Sequence, residues 1–106
     1  MTKYLLQISY STEGTKGLIK EGGTARRRVA QDIAESLGGR LESMYFAFGD
    51  TDAYVIAEMP DNASVAAISL ALGASGGATG HTTVLMTPEE MDLATRKTPA
   101  YRAPGQ

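Results

Sequence analysis

The sequence predicts an α+β domain in which strands and helices follow the order βαβ-βαβ, with an antiparallel sheet. Three observations lead there. Arg40–Met59 holds two apolar, aromatic-rich runs around Gly49-Asp50-Thr51-Asp52, a turn-forming quartet, and so reads as a β-hairpin. The chain before the hairpin reads as strand then helix, and the chain after it as helix then strand. The strands also carry apolar groups on both faces: Leu5 opposite Leu6, and Tyr54 and Ile56 opposite Val55, Ala57 and Met59. A sheet with one wet face alternates apolar and polar residues, so both faces here are expected to be covered. Two helices cover one face. A second copy of the sheet is expected on the other.

In chain order, Lys3–Tyr10 sets Tyr4, Leu6, Ile8 and Tyr10 against Lys3, Leu5, Gln7 and Ser9, the period of a strand. Ser11-Thr12-Glu13-Gly14 ends it and offers helix caps, and residues 15–21 form a short helical segment with Leu18 and Ile19. Gly22-Gly23 interrupts that segment, and Thr24 is expected to cap a longer helix. Val29, Ile33 and Leu37 recur along this helix at four-residue spacing, with Ala30 and Ala34 beside them, until Gly38-Gly39 stops it. After the hairpin, Pro60-Asp61-Asn62 leads into a helix over residues 63–72, with Val65, Ile68 and Leu72 as its apolar stripe. Gly73–Gly77 reads as a flexible connector and residues 79–86, rich in Thr and Val, as the fourth strand. Thr87-Pro88-Glu89-Glu90 combines a cap, an N1 proline and a capping-box glutamate, and starts a short C-terminal helix. The expected division is a domain over residues 1–97 and a Pro-rich tail over 98–106.

Composition narrows the function. The chain has 106 residues, 42% hydrophobic and 21% charged, which fits one globular domain with a modest core. A net charge of −2 argues against nucleic acid as a partner. The absence of cysteine removes disulfides, thiol nucleophiles and zinc–thiolate sites. No apolar run approaches the ~20 residues of a membrane helix, and the N-terminus lacks a signal-peptide core, so no membrane partner and a cytoplasmic location are expected.

Few residues carry chemistry. Gly73-Ala-Ser-Gly-Gly77 matches the nucleophile-elbow pattern, but a helix precedes it and a strand follows, the reverse of the required context. Arg26-Arg27-Arg28 places positive charge at a helix N-terminus, against the macrodipole. Solvated, ion-paired arginines are the plain interpretation; an anion held by Arg26 and the free N–H groups after Gly23 is the functional one. His81, the single histidine, is a candidate proton acceptor. Asp50 and Asp52 are candidates for acid–base work, with turn capping as their simpler role. Tyr4, Tyr10, Tyr45 and Tyr54 are core or interface residues, or else join Arg26 in ligand binding.

With Phe48-Gly-Asp-Thr-Asp-Ala-Tyr54 the sequence resembles the GYD-domain family, whose members carry a Gly-[Asp/Glu]-Tyr-Asp hairpin between an aromatic strand and a Val/Ile-rich one. The likeness continues in order through Tyr4-Leu5, Thr12-Glu13-Gly14, Arg26, Leu37-Gly38-Gly39, Pro60-Asp61 and Thr87-Pro88-Glu89-Glu90. Thr51 stands where the motif has tyrosine, and His81 where relatives prefer Lys or Arg. The resemblance implies a ferredoxin-like sandwich of the dimeric α/β-barrel type, two sheets packed face to face. That wider group contains cofactor-free monooxygenases, small-acid isomerases, haem-binding enzymes and assembly proteins, and the fold does not choose among them. The expected function is a homo-oligomeric protein that binds a small metabolite or anion, with no cofactor and no metal. The alternative is a cofactor-independent enzyme acting on a small aromatic or carbonyl substrate, with His81 or an aspartate as proton acceptor.

Overall fold

A computed structural model describes residues 1–106. The elements are β1 (Thr2–Tyr10), α1 (Thr12–Glu21), α2 (Gly23–Ser36), β2 (Arg40–Phe46), β3 (Ala53–Met59), α3 (Asn62–Ser75), β4 (Ala78–Leu85) and α4 (Pro88–Thr95). The four strands form one antiparallel sheet in the order β2-β3-β1-β4, the ferredoxin-like arrangement with an added C-terminal helix.

Register assigns every strand residue to a face. Tyr4 lies opposite Ala57 and Leu6 opposite Val55, and these four are buried beneath the helices with Met59, Ala34 of α2 and Val65 of α3. The intervening pairs, Lys3–Glu58, Leu5–Ile56 and Gln7–Tyr54, belong to the other face. Thr83 and His81 extend that face across β4, and Ser43 and Tyr45 extend it across β2. Glu42 is the extra residue of a bulge in β2, where pairing steps from Leu41–Ala57 to Ser43–Ile56. No helix covers this open face.

Capping explains most element ends. Ser11 accepts from the Gly14 N–H and starts α1 at Thr12, three residues before the sequence places it. Gly14 sits where a Cβ would meet the Gly77 carbonyl oxygen at 1.9 Å, so α1 docks against the α3–β4 junction only with glycine there. α2 begins at Gly23 with Gly22 as its cap and no side-chain cap bond; Thr24 is inside the first turn and does not cap. Its far end closes as a Schellman motif, with the Gly39 N–H on the Ala34 carbonyl at 2.8 Å and the Gly38 N–H on that of Glu35 at 3.1 Å.

The connector expected at Gly73–Gly77 is instead helical as far as Ser75. Gly73 does not break α3; Gly76, at φ +70°, ends it. A single glycine weakens a helix by only about 1 kcal/mol, and packing on the sheet outweighs that. α4 has the full capping box, Thr87 with Glu90, and none of its residues is buried. The residues after it form no helix or strand.

Candidate functional site

Between the helices and the sheet lies an apolar cleft. Ala30 and Ala34 turn small side chains toward β1 and β3, and Ile33 of α2 faces the same space as Ile68 and Leu72 of α3. Small groups on one wall leave a cavity of about 50 Å³. A water occupies ~10–15 Å³ on this scale but needs polar partners, which these walls do not offer, so the space suits the end of an apolar ligand. Twelve of the thirteen residues around it are hydrophobic, and the thirteenth is Arg26.

Arg26 also borders a second, more open space of about 250 Å³ under α1, with Tyr10, Gly14, Leu18, Glu21 and Ser75 around it. Tyr10, Arg26 and Leu72 are common to both, so the inner cleft opens outward past them. The Arg26 guanidinium makes no hydrogen bond and no ion pair. The ion pairs of the chain are Lys3–Glu42, Lys16–Glu13 and Arg40–Glu58. The first turn of α2 contains no acidic residue either, so its helix dipole and its three arginines lack a negative partner. The expected pairing of Arg26–Arg28 with carboxylates does not occur.

Tyr10 is positioned from the hairpin. The loop over residues 47–52 folds onto the end of β1: the Tyr10 N–H donates to Asp52 Oδ2 at 2.8 Å, and the Asp52 N–H donates to the Ile8 carbonyl at 2.9 Å. Ser9 Oγ donates to the Asp50 carbonyl at 2.9 Å. Asp52 therefore clasps the loop to β1, whereas Asp50 takes part through its backbone and leaves its carboxylate in solvent. Turn capping by Asp50 is not what the structure contains.

The other residues singled out from the sequence lie elsewhere. Tyr4 is buried, and its hydroxyl donates to Asn62 Oδ1 at 2.5 Å, tying β1 to the first turn of α3. Tyr45 and Tyr54 are a cross-strand pair on the open sheet face. His81, opposite Gln7, is on that face as well. It is separated from Arg26 by the thickness of the sheet, so the two cannot line one pocket. Of the candidates, Arg26 and Tyr10 are the pair that the fold brings together.

Sequence reading missed Leu18, Glu21 and Ser75 at the mouth of the cleft, because residues so far apart converge only once α1 docks on the α3–β4 junction. The wall of the inner cleft did leave a signal, the two alanines beside the apolar stripe of α2.

Arg40 donates to Glu58 through Nε at 3.1 Å and Nη2 at 2.6 Å and holds its carboxyl below the ordinary range, at the far end of β3. The Ser64 N–H at the start of α3 does the same for Asp61, the α3 cap. No three His, Asp or Glu side chains converge to form a metal site.

The family model described as GYD domain matches residues 4–94 of the chain. No curated protein matches the chain.

Proposed function

The chain belongs to the GYD domain family, and on that premise we propose that it binds a small organic anion with an apolar body and self-associates through its open sheet face. The observation that carries the binding reading is the unpaired Arg26 guanidinium at the mouth of a cleft whose other walls are apolar. A ligand carboxylate or phosphate would pair with Arg26 and accept from the Tyr10 hydroxyl, while its apolar end fills the space beside Ala30 and Ala34. Such a group supplies the negative charge that the first turn of α2 lacks.

A binding role fits this cleft better than acid–base chemistry. His81 lies across the sheet from it, Asp50 faces solvent, and the Asp52 carboxylate is engaged by the Tyr10 N–H. Self-association draws on a different feature: Leu5, Ile56, Tyr54 and Tyr45 stand together on a face that no helix covers.

Thermal shift with a panel of aliphatic and aromatic carboxylates tests the binding reading. A ligand at a hundredfold over its Kd stabilises the protein by about 2.7 kcal/mol, several degrees for a domain of this size. Arg26→Gln should weaken binding roughly 10- to 100-fold, the value of a charge-assisted hydrogen bond, while Arg28→Gln leaves it unchanged. Equal shifts in wild type and Arg26→Gln across the panel would sink it.

A further inference from the structure

The outer surface of α3 has no explanation in the single chain. The helix carries no charged residue along Asn62–Ser75, and only Val65 is buried. Leu70 is 74% exposed, and between it and β4 lies a cleft of about 500 Å³ formed with Tyr4, Val65, Ala66, Ser69 and Val84. An exposed leucine beside an open cleft on an uncharged helix marks a surface fit for a partner.

The same chain holds a second surface with the opposite need. α4 is eight residues long, too short to persist in water by propensity alone, and has no buried residue. Met91 is 51%, Leu93 57% and Tyr101 75% exposed. At 100° per residue, Pro88, Met91, Ala94 and Thr95 share one face of α4, and that face carries no charge. Glu90 and Asp92 border it on either side, and Leu93 lies on the opposite side of the helix with Glu89.

The way the chain leaves β4 decides whose cleft the arm reaches. Met86 and Thr87 alone separate β4 from α4. Thr87 is extended, at φ −74° and ψ 159°, held so by the following proline and by its bond from the Glu90 N–H. The arm so leaves the edge strand extended, and α4 has no extensive packing with any element of its own chain, α3 included. The elongation of the chain, 56 Å by 33 Å by 24 Å, accords with this.

We infer that the C-terminal arm, residues 86–101, docks in the α3–β4 cleft of a second copy, its uncharged α4 face lying along the uncharged α3 and Met91 against Leu70 and Val84. Under a two-fold axis the exchange is reciprocal. Each copy then contributes one arm and one receiving cleft. The contact is separate from sheet-face pairing and does not require it.

The chain has no cysteine, so introduced thiols are unambiguous. Full-length Leu70→Cys and Met91→Cys chains are mixed and treated with a short bis-maleimide, with Lys20→Cys replacing Leu70→Cys as control. The expected result is a covalent dimer in the Leu70–Met91 mixture in several-fold excess over the control mixture, and its loss when the Met91→Cys chain also carries Ala94→Asp and Tyr101→Asp. Equal yields in both mixtures overturn the inference. So does a chain carrying both cysteines that closes on itself as a monomer, since its own arm would then fill the cleft.

Discussion

Asp50 and Asp52 are two residues apart on one turn, yet they do different work. Asp52 accepts the Tyr10 N–H at the end of β1, a half-buried donor that would otherwise lack a partner. Asp52→Ala should cost about 1–3 kcal/mol in chemical denaturation, the penalty of an unsatisfied donor. Asp50→Ala, with its carboxylate in solvent, should stay within about ±0.5 kcal/mol. Because Asp52 also orients Tyr10, its removal is expected to weaken ligand binding at the cleft as well. Ala30 offers the complementary test. Ala30→Leu places a larger side chain into the 50 Å³ cavity, so the thermal shift by carboxylates should vanish while stability changes by less than about 1.5 kcal/mol. A shift as large as wild type would move the ligand elsewhere.

Individual elements differ in what holds them. α1 has no buried residue, and its docking rests on the close approach of Gly14 to Gly77. Gly14→Ala gains helix propensity but drives a methyl into the Gly77 carbonyl. The clash should win, leaving the protein about 1–3 kcal/mol less stable and α1 more open to proteolysis. The Asp61 side chain caps α3 and the Arg40–Glu58 pair bridges β2 and β3, and both carboxyls are held below their ordinary range. A depressed pKa adds stability that is complete above the unfolded value and disappears as pH falls through the folded one. Stability should therefore decline as pH drops from about 4.5. Glu58→Gln and Asp61→Asn should each flatten that decline, and added salt should weaken the Glu58 part because the pair is exposed. A profile unchanged in both variants would mean that other carboxylates set the acid limb.

At the scale of the molecule, a four-stranded sheet with helices on one face only is half a sandwich. Leu5 and Ile56 lie opposite each other at the middle of the uncovered face, with the Tyr45–Tyr54 pair beside them and the Lys3–Glu42 and Arg40–Glu58 ion pairs toward one end. An apolar centre with a charged border accords with the self-association proposed for this face. Light scattering at micromolar concentration should give at least twice the 11.2 kDa chain mass. Leu5→Glu should shift the population to monomer unless the arm contact holds the copies together, which Leu5→Glu combined with Leu70→Asp would reveal. A wild-type monomer at that concentration would remove the sheet-face reading.

Much of this was legible in the residues alone. The period-2 alternation of β1 and β3, the α2 stripe with its glycine stop, the Thr87–Glu90 capping box and the order of elements all depend on neighbours a few positions apart, and the structure has each of them. Local signals failed where distant packing overrode them: Gly73 did not end α3, and Thr24 did not cap α2. The cleft was beyond local reading for a further reason. Arg26, Tyr10 and Ser75 meet only because β1 pairs with both β3 and β4 and α1 closes over their junction. The same register sets His81 opposite Gln7 and so on the far side of the sheet from Arg26. Sequence by itself determined which segments are strands and helices and which side of each is apolar, because those properties repeat over two to four residues. Tertiary structure alone decided which apolar sides face one another and which charge is left without a partner, because both depend on contacts between residues tens of positions apart.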